Sequence, residues 1–233
     1  MKFKGANVLI TGGSDGIGKA TAHALKDLGA DVVITGRRAE HLAGVADELG
    51  VGHIVADVGV EADAVRTVRE FVERKGRLDV LINNAGFGAF APLVETELSL
   101  MESVYRTNVF GAFVMGREAA KHFVAQKSGH LINISSTAGT KGFQGGTAYA
   151  SSKFALRGMT ECWREELRRH NVRVTLINPS EVMTEFASVA GYDQTESAKK
   201  LRAKEIADAI VGVLAIDDRG FVPELAVFAT NPF

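Results

Sequence analysis

Tyr149 and Lys153 stand four residues apart in the run YASSK, a spacing that puts both on one helical face about a turn apart. A phenol, with a pKa of about 10, is a poor acid or base near neutrality unless a neighbouring cation favours its ionised form. An ammonium one turn away provides that cation. Lowering the phenol by two or three units takes roughly 3 to 4 kcal/mol, within reach of a charge in a partly desolvated site. The pair also has polar company: Ser136 ends an apolar run thirteen residues earlier, and Asn108 falls in the long helical stretch before that.

A second constellation lies near the start of the chain. Thr11 to Gly18 reads TGGSDGIG and joins a β-branched run to a helical pattern. Gly12, Gly16 and Gly18 suit a turn that needs positive φ, close approach to a pyrophosphate and tight packing of helix on strand. The helix start beyond them offers free N–H groups and a positive dipole end to phosphates. Ser14, Asp15 and Ile17 complete the expected contacts of this turn with a nucleotide. About twenty residues on, the second strand ends in TGRR. Gly36 brings no carboxylate to a ribose 2′-hydroxyl, while Arg37 and Arg38 offer guanidinium donors to a 2′-phosphate. NADP(H) is therefore favoured over NAD(H), with Asp15 bringing one opposing carboxylate toward the same phosphate.

These residues need a scaffold. Apolar runs predict strands at Asn7–Thr11, Asp31–Thr35, His53–Asp57, Leu78–Asn83, His130–Ser135, Val172–Asn178 and Phe221–Phe228. Helical periodicity lies between them over Lys19–Leu28, Ala39–Leu49, Glu61–Lys75, Ser99–Gln126, Ala148–His170 and Ala198–Ile216. Strands apolar on both faces and separated by helices indicate an α/β fold, a single doubly wound parallel sheet of Rossmann-like type with helices on both faces. No linker divides the chain, so residues 1–233 are expected to form one domain. The least periodic stretch, Ser180–Leu201, leaves a strand's carboxyl end and is the expected substrate lid. Within it Phe186 and Tyr192 are candidates to line an apolar pocket, and Glu181, Glu185, Asp193 and Glu196 are expected to be solvated.

Composition excludes several classes of function. The 27 Lys plus Arg nearly cancel 28 Asp plus Glu, for a formal net charge of -1, so no basic surplus marks a nucleic-acid or anionic-membrane partner. The single cysteine, Cys162, excludes a disulfide framework and a cysteine-rich zinc site. The six histidines lack ligand spacing, so no metal is expected. The apolar stretch of the opening MKFKGANVLITGG is too short for a signal peptide, and no run approaches the roughly 18 apolar residues of a membrane span. A cytoplasmic protein is the expectation.

Over about residues 4–184 the succession of TGGSDGIG, Asp57-Val58, NNAG at Asn83–Gly86, Asn108, Ser136 and YASSK resembles a short-chain dehydrogenase/reductase of the single-domain type. The resemblance implies that Tyr149 exchanges the proton at the substrate oxygen and that Ser136 hydrogen-bonds that oxygen. It prefers Ser136 to Ser135, because the family spacing to the tyrosine is thirteen. It also implies that Lys153 holds the nicotinamide ribose and lowers Tyr149, and that Asn108 fixes a water of the proton relay. Asp57 and Val58 would contact the adenine, and Asn84, Ala85 and Gly86 would line the cofactor cleft. After the sixth strand NPSEVMTEF supplies the family's Pro179 and Thr184 but has Ser180 where the family usually has glycine, which puts the local backbone in question.

The activity so implied is hydride transfer between NADPH and a carbonyl, with Tyr149 as general acid/base. The look is closest to 3-oxoacyl-carrier-protein reductases and bacterial carbonyl reductases. The substrate is then a small-molecule ketone or an acyl thioester, and Lys127, Arg168 and Arg169 are candidates to dock an acidic carrier protein. The ending VPELAVFATNPF departs from the glycine-rich close of the 3-oxoacyl reductases. The alternatives are an NAD-dependent secondary alcohol or sugar dehydrogenase, an epimerase or dehydratase of the longer relatives, and a non-catalytic NADP-binding regulatory protein. Relatives commonly pair through the helices expected at Ser99–Gln126 and Ala148–His170, which implies a homotetramer or else a dimer.

Overall fold

The structure is a computed structural model and describes residues 1–191 and 197–231. Strands and helices alternate: β1 (Asn7–Thr11), α1 (Gly16–Asp27), β2 (Asp31–Gly36), α2 (Ala39–Leu49), β3 (Gly52–Val55), α3 (Glu61–Lys75) and β4 (Val80–Asn83). Then come α4 (Leu98–Tyr105), α5 (Ala112–Gln126), β5 (Gly129–Ile134), α6 (Thr147–Leu167), β6 (Val172–Pro179) and β7 (Val182–Met183). The chain continues through α7 (Phe186–Val189), β8 (Leu201–Arg202), α8 (Ala203–Ala215) and β9 (Glu224–Val227). Seven strands form one sheet in the order β3-β2-β1-β4-β5-β6-β9, every pair parallel. This is the expected doubly wound, Rossmann-like architecture.

Period-two alternation along the strands divides the interior into two cores. Val8, Ile10, Val32, Ile34, Val80 and Ile82 face α1, α2 and α8, where Leu25, Leu42, Ile206 and Ile210 meet them. Leu9, Val33, Leu81 and Leu131 face the other way, toward Val68 and Phe71 of α3 and Met115 and Phe123 of α5. The strand order reverses between β1 and β4, and the loops leaving their carboxyl ends separate there to open a cleft.

The elements differ from the sequence expectation at their ends and in one interior. Helix α1 begins at Gly16, not Lys19, so it takes in the last two glycines of the turn. Strand β3 stops at Val55, and Asp57 lies beyond it, its carboxylate accepting the Gly59 N–H at 2.9 Å. The helix expected over Ser99–Gln126 is instead α4, a π-helical turn at Arg106–Gly111, and α5. A Cβ on Gly111 would come within 2.8 Å of the Val58 carbonyl oxygen, so the wide turn presses backbone against the loop after β3. Helix α6 ends at Leu167 and tightens into a 3₁₀ turn over Arg168–His170. Helix α8 begins at Ala203, where the Glu205 carboxylate accepts the Arg202 N–H at 2.7 Å, and β9 is confined to Glu224–Val227.

The segment after β6 holds more order than its sequence suggests: β7 pairs in parallel with β8, with α7 between them. Tyr192, Asp193 and Glu196 lie outside the described residues. Ser180 is accommodated without strain, since its φ is not in the left-handed region and its N–H donates to Val227 O at 2.9 Å. One expectation is misplaced. Lys127 ends α5 just before β5, and Arg168 and Arg169 lie just before β6, so all three sit at the amino-terminal edge of the sheet, opposite the cleft.

Candidate active site

The glycine turn is built for close approach. Gly12 and Gly16 adopt φ of +63° and +49°, and a Cβ on Gly18 would meet the Gly12 carbonyl oxygen at 2.2 Å. Asn84 braces the turn from behind, its side-chain amide donating to Thr11 O at 3.0 Å and Gly12 O at 2.9 Å. The Thr11 hydroxyl oxygen accepts the N–H groups of Asn84 and Ala85, both at 3.0 Å, and so ties β1 to the loop after β4. Asp15 occupies the N-cap of α1 yet makes no capping bond, which leaves the first amides of the helix without a side-chain acceptor.

The Asp15 carboxylate turns instead to the end of β2. It accepts from Ser14 Oγ at 2.7 Å and Arg38 Nη2 at 2.7 Å, and His41 Nε2 lies 2.9 Å away. Burial alone raises this carboxyl, but the hydrogen bonds from Ser14 and His41 and the charges of His41 and Arg38 hold it below the ordinary carboxylate value. Arg37 Nη1 lies 3.7 Å from Asp57 Oδ2. Each arginine of TGRR therefore already faces a carboxylate. His41 was not among the expected residues; nothing in its local sequence shows that α2 turns it back onto the glycine loop.

At the other end of the cleft, α6 carries Tyr149 and Lys153, both buried. Lys153 Nζ lies 5.7 Å from the centroid of the Tyr149 ring and donates to Ile134 O at 3.0 Å. It has no carboxylate partner among the described residues, and burial pushes it down to about 8. Ser136 caps the 3₁₀ turn Thr137–Gly139, its oxygen accepting the Ala138 N–H at 3.1 Å, which leaves its proton to donate. The Ser135 hydroxyl is spent on Lys153 O at 3.3 Å, so geometry and spacing agree on Ser136. Asn108 sits in the π-helical turn with its carboxamide committed: it exchanges bonds with Phe87 N and O at 3.0 and 2.9 Å and donates to Ser152 Oγ at 3.1 Å.

One cleft of about 1480 Å³ joins the two ends and is lined by the expected Gly12, Ser14, Asp15, Gly16, Ile17, Arg37, Arg38, Asp57 and Val58. The same cleft is lined by Asn84, Ala85, Gly86, Ser136, Tyr149, Lys153, Pro179 and Thr184. Gly18 and Asn108 stand behind its wall, and Thr184 crosses over the turn, 3.2 Å from where a Gly16 Cβ would be. A dinucleotide fits this shape: glycines at the turn where a side chain would collide, uncapped helix amides beside them, and an elongated path to the buried lysine.

The model of the short chain dehydrogenase family matches residues 6–195. The chain belongs to that family and is a short-chain oxidoreductase, of a kind that uses NAD(P)(H). It is 32% identical over 222 residues to an uncharacterized oxidoreductase of Staphylococcus aureus (strain USA300), covering 94% of this chain and 95% of that one. Among solved structures, the closed form of serine dehydrogenase complexed with NADP+ superposes with a TM-score of 0.90 at 29% identity, covering 97% of this chain and 96% of the other. A metagenomic short-chain oxidoreductase in complex with NADP gives 0.86 at 31% identity over 99% and 100% of the two chains.

Proposed function

We propose that the protein reduces the carbonyl of a small-molecule ketone to a hydroxyl with NADPH, Tyr149 acting as general acid, and oxidises the alcohol in reverse. The observation that carries this reading is the buried Lys153 ammonium placed beside the Tyr149 ring, with no carboxylate among the described residues to neutralise it. A positive charge there favours the phenolate, which makes the phenol a competent proton donor near neutrality. Ser136 donates to the substrate oxygen and holds it against the phenol. Asn108, through Phe87 and Ser152, positions the loop that faces Lys153, and would fix a water of the proton relay.

The glycine turn and the amides of α1 would hold the pyrophosphate, Asp57 and Val58 the adenine, and Asn84–Gly86, Pro179 and Thr184 the nicotinamide half. Arg37 and Arg38, with His41 beside them, would hold the 2′-phosphate, exchanging their carboxylates for it. When bound, NADPH supplies the hydride gained by the carbonyl carbon and is itself oxidised, while Tyr149 supplies the proton gained by the oxygen and solvent restores it. Residues 180–201 serve as the lid. A free ketone is favoured over a carrier-bound thioester, because the basic residues meant for a carrier lie at the opposite edge of the sheet. A regulatory protein without turnover would have no need of the intact Ser136, Tyr149 and Lys153 set. Association of copies through α4, α5 and α6 and a cytoplasmic location complete the reading.

Tyr149→Phe tests it. Loss of the proton donor should lower kcat by about 100-fold or more while the Kd of NADPH changes less than about twofold. An unchanged kcat removes the tyrosine from this role. A Kd for NADH below that for NADPH overturns the cofactor preference.

A further inference from the structure

We infer that the carbonyl this site takes is carried on or beside an uncharged ring, an alicyclic or aryl ketone, and not on an amino acid, a hydroxy acid or an acyl thioester. This rests on the reading above and names its substrate class. Two separate segments each bring a phenylalanine to the proton donor, and a third phenylalanine backs one of them. Phe90, after β4, stands edge-on to the Tyr149 ring at 5.7 Å and 83°. Phe186, opening α7, lies 5.3 Å from the same ring at 57°. Phe143, before α6, meets Phe90 at 5.6 Å and 60° and is 49% exposed on the cleft side.

The rings are seated on glycines. A Cβ on Gly88 would lie 2.5 Å from the Phe186 ring and 3.0 Å from that of Phe90, and one on Gly146 would lie 2.7 Å from Phe143. The backbone thus leaves room for aromatic groups that remain partly uncovered, in a cleft where a flat apolar guest completes the edge-to-face contacts. Ala138 and Ala150 pack in the same cluster.

Among the described residues, the charged groups other than Lys153 are placed elsewhere along the cleft. Asp15, Arg37, Arg38, His41 and Asp57 gather at the glycine turn and the end of β2. Glu181 is tied to Lys200 at 2.7 Å, and Lys153 donates to Ile134 O. At the exposed mouth Lys141 and Glu185 are opposite in sign. A substrate carboxylate would call for a second cation beside Tyr149, since Lys153 already serves the phenol and the ribose in the reading above. Among the described residues, Phe90 and Phe186 stand against that ring.

The test uses the full-length enzyme with NADPH against 1-tetralone and cyclohexanone on one side and acetoacetyl-N-acetylcysteamine and ethyl pyruvate on the other, and with NADP+ against L-serine in the oxidising direction. Binding of 1-tetralone to the enzyme–NADP+ complex is read separately by saturation-transfer NMR. The ring ketones should show kcat/KM at least about tenfold above the acyclic substrates. Phe186→Ala and Phe90→Ala should lower kcat/KM for 1-tetralone by about tenfold or more, and weaken its NMR signal, with little effect on ethyl pyruvate. Phe186→Leu, which keeps the volume and loses the ring, should give the same direction with native thermal stability. A preference for serine or the thioester, or equal losses on both substrate groups, overturns the inference and leaves the carbonyl reductase reading standing. Turnover of neither group, with NADPH still bound, overturns both.

Discussion

Burial of Lys153 carries an energetic consequence that its catalytic use conceals. The residue is 5% exposed, and desolvation pushes it from the usual 10.5 down to about 8. Its folded value lies below its unfolded one, so the charged lysine opposes folding. The penalty is fully present below pH 8 and is relieved as pH rises from 8 toward lysine's ordinary value. The difference corresponds to roughly 3 kcal/mol, partly offset by the bond to Ile134 O. Lys153→Met should therefore make the cofactor-free protein more stable at pH 7 in urea titration, by about 1 to 3 kcal/mol, while turnover is lost. The wild type should gain stability between pH 8 and 10, and the variant should not. A Lys153→Met variant less stable than wild type at pH 7 would contradict this account. The i, i+4 spacing made the Tyr149–Lys153 pair legible in the sequence because helical neighbours are set locally. The meeting of Asp15, Arg38 and His41 depends on how a turn, a strand end and a helix are packed, and no spacing encodes it.

At the scale of elements, the π-helical turn is what the sequence concealed. Its residues keep a helical pattern, so Arg106–Gly111 reads as an ordinary stretch of one long helix. The widened turn directs the Asn108 carboxamide onto both backbone polar groups of Phe87 and onto Ser152. Asn108 is 1% exposed, so truncation leaves those buried groups without partners. Asn108→Ala should cost about 2 to 4 kcal/mol and lower Tm by roughly 5 to 10 °C. It should also weaken NADPH binding, because the loop at Gly86 would be released. A melting curve superimposable on wild type would show that the carboxamide is not structural. A second buried bridge, Asn83 to Asn133 at 3.0 Å and Asn133 to Thr160 at 2.8 Å, ties β4 and β5 to α6, the helix of Tyr149 and Lys153. Polar residues inside apolar strands were its signal in the sequence, and their partners were not.

For the whole molecule, acid stability follows from one core histidine. His130 lies on β5 opposite Arg173 on β6, its Nε2 3.0 Å from Thr175 Oγ1. Burial, with the charges of Arg173 and the amino terminus, pushes it down to about 3. The unfolded chain binds a proton there first, so this contribution is present above the ordinary histidine value of about 6.5 and is lost as pH falls from there toward 3. Urea midpoints should decline steadily between pH 6.5 and 4, and His130→Leu should flatten that decline. An equally steep decline in the variant would place the acid sensitivity elsewhere.

The sequence by itself determined what depends on neighbours along the chain. The strand and helix order, the glycine turn, the tyrosine and lysine on one helical face and the family membership all follow from local periodicity and motif. Only the tertiary structure decided which groups face one another across loops. It paired both arginines of TGRR with carboxylates, tied the Ser135 hydroxyl to the Lys153 carbonyl, moved Asn108 behind the cleft wall and sent the basic residues near β5 and β6 to the far edge of the sheet. It also brought Phe90 and Phe186 from separate segments against one phenol, with Phe143 against Phe90. Side-chain contacts between distant segments depend on strand register and helix orientation, which arise only when the two cores pack together.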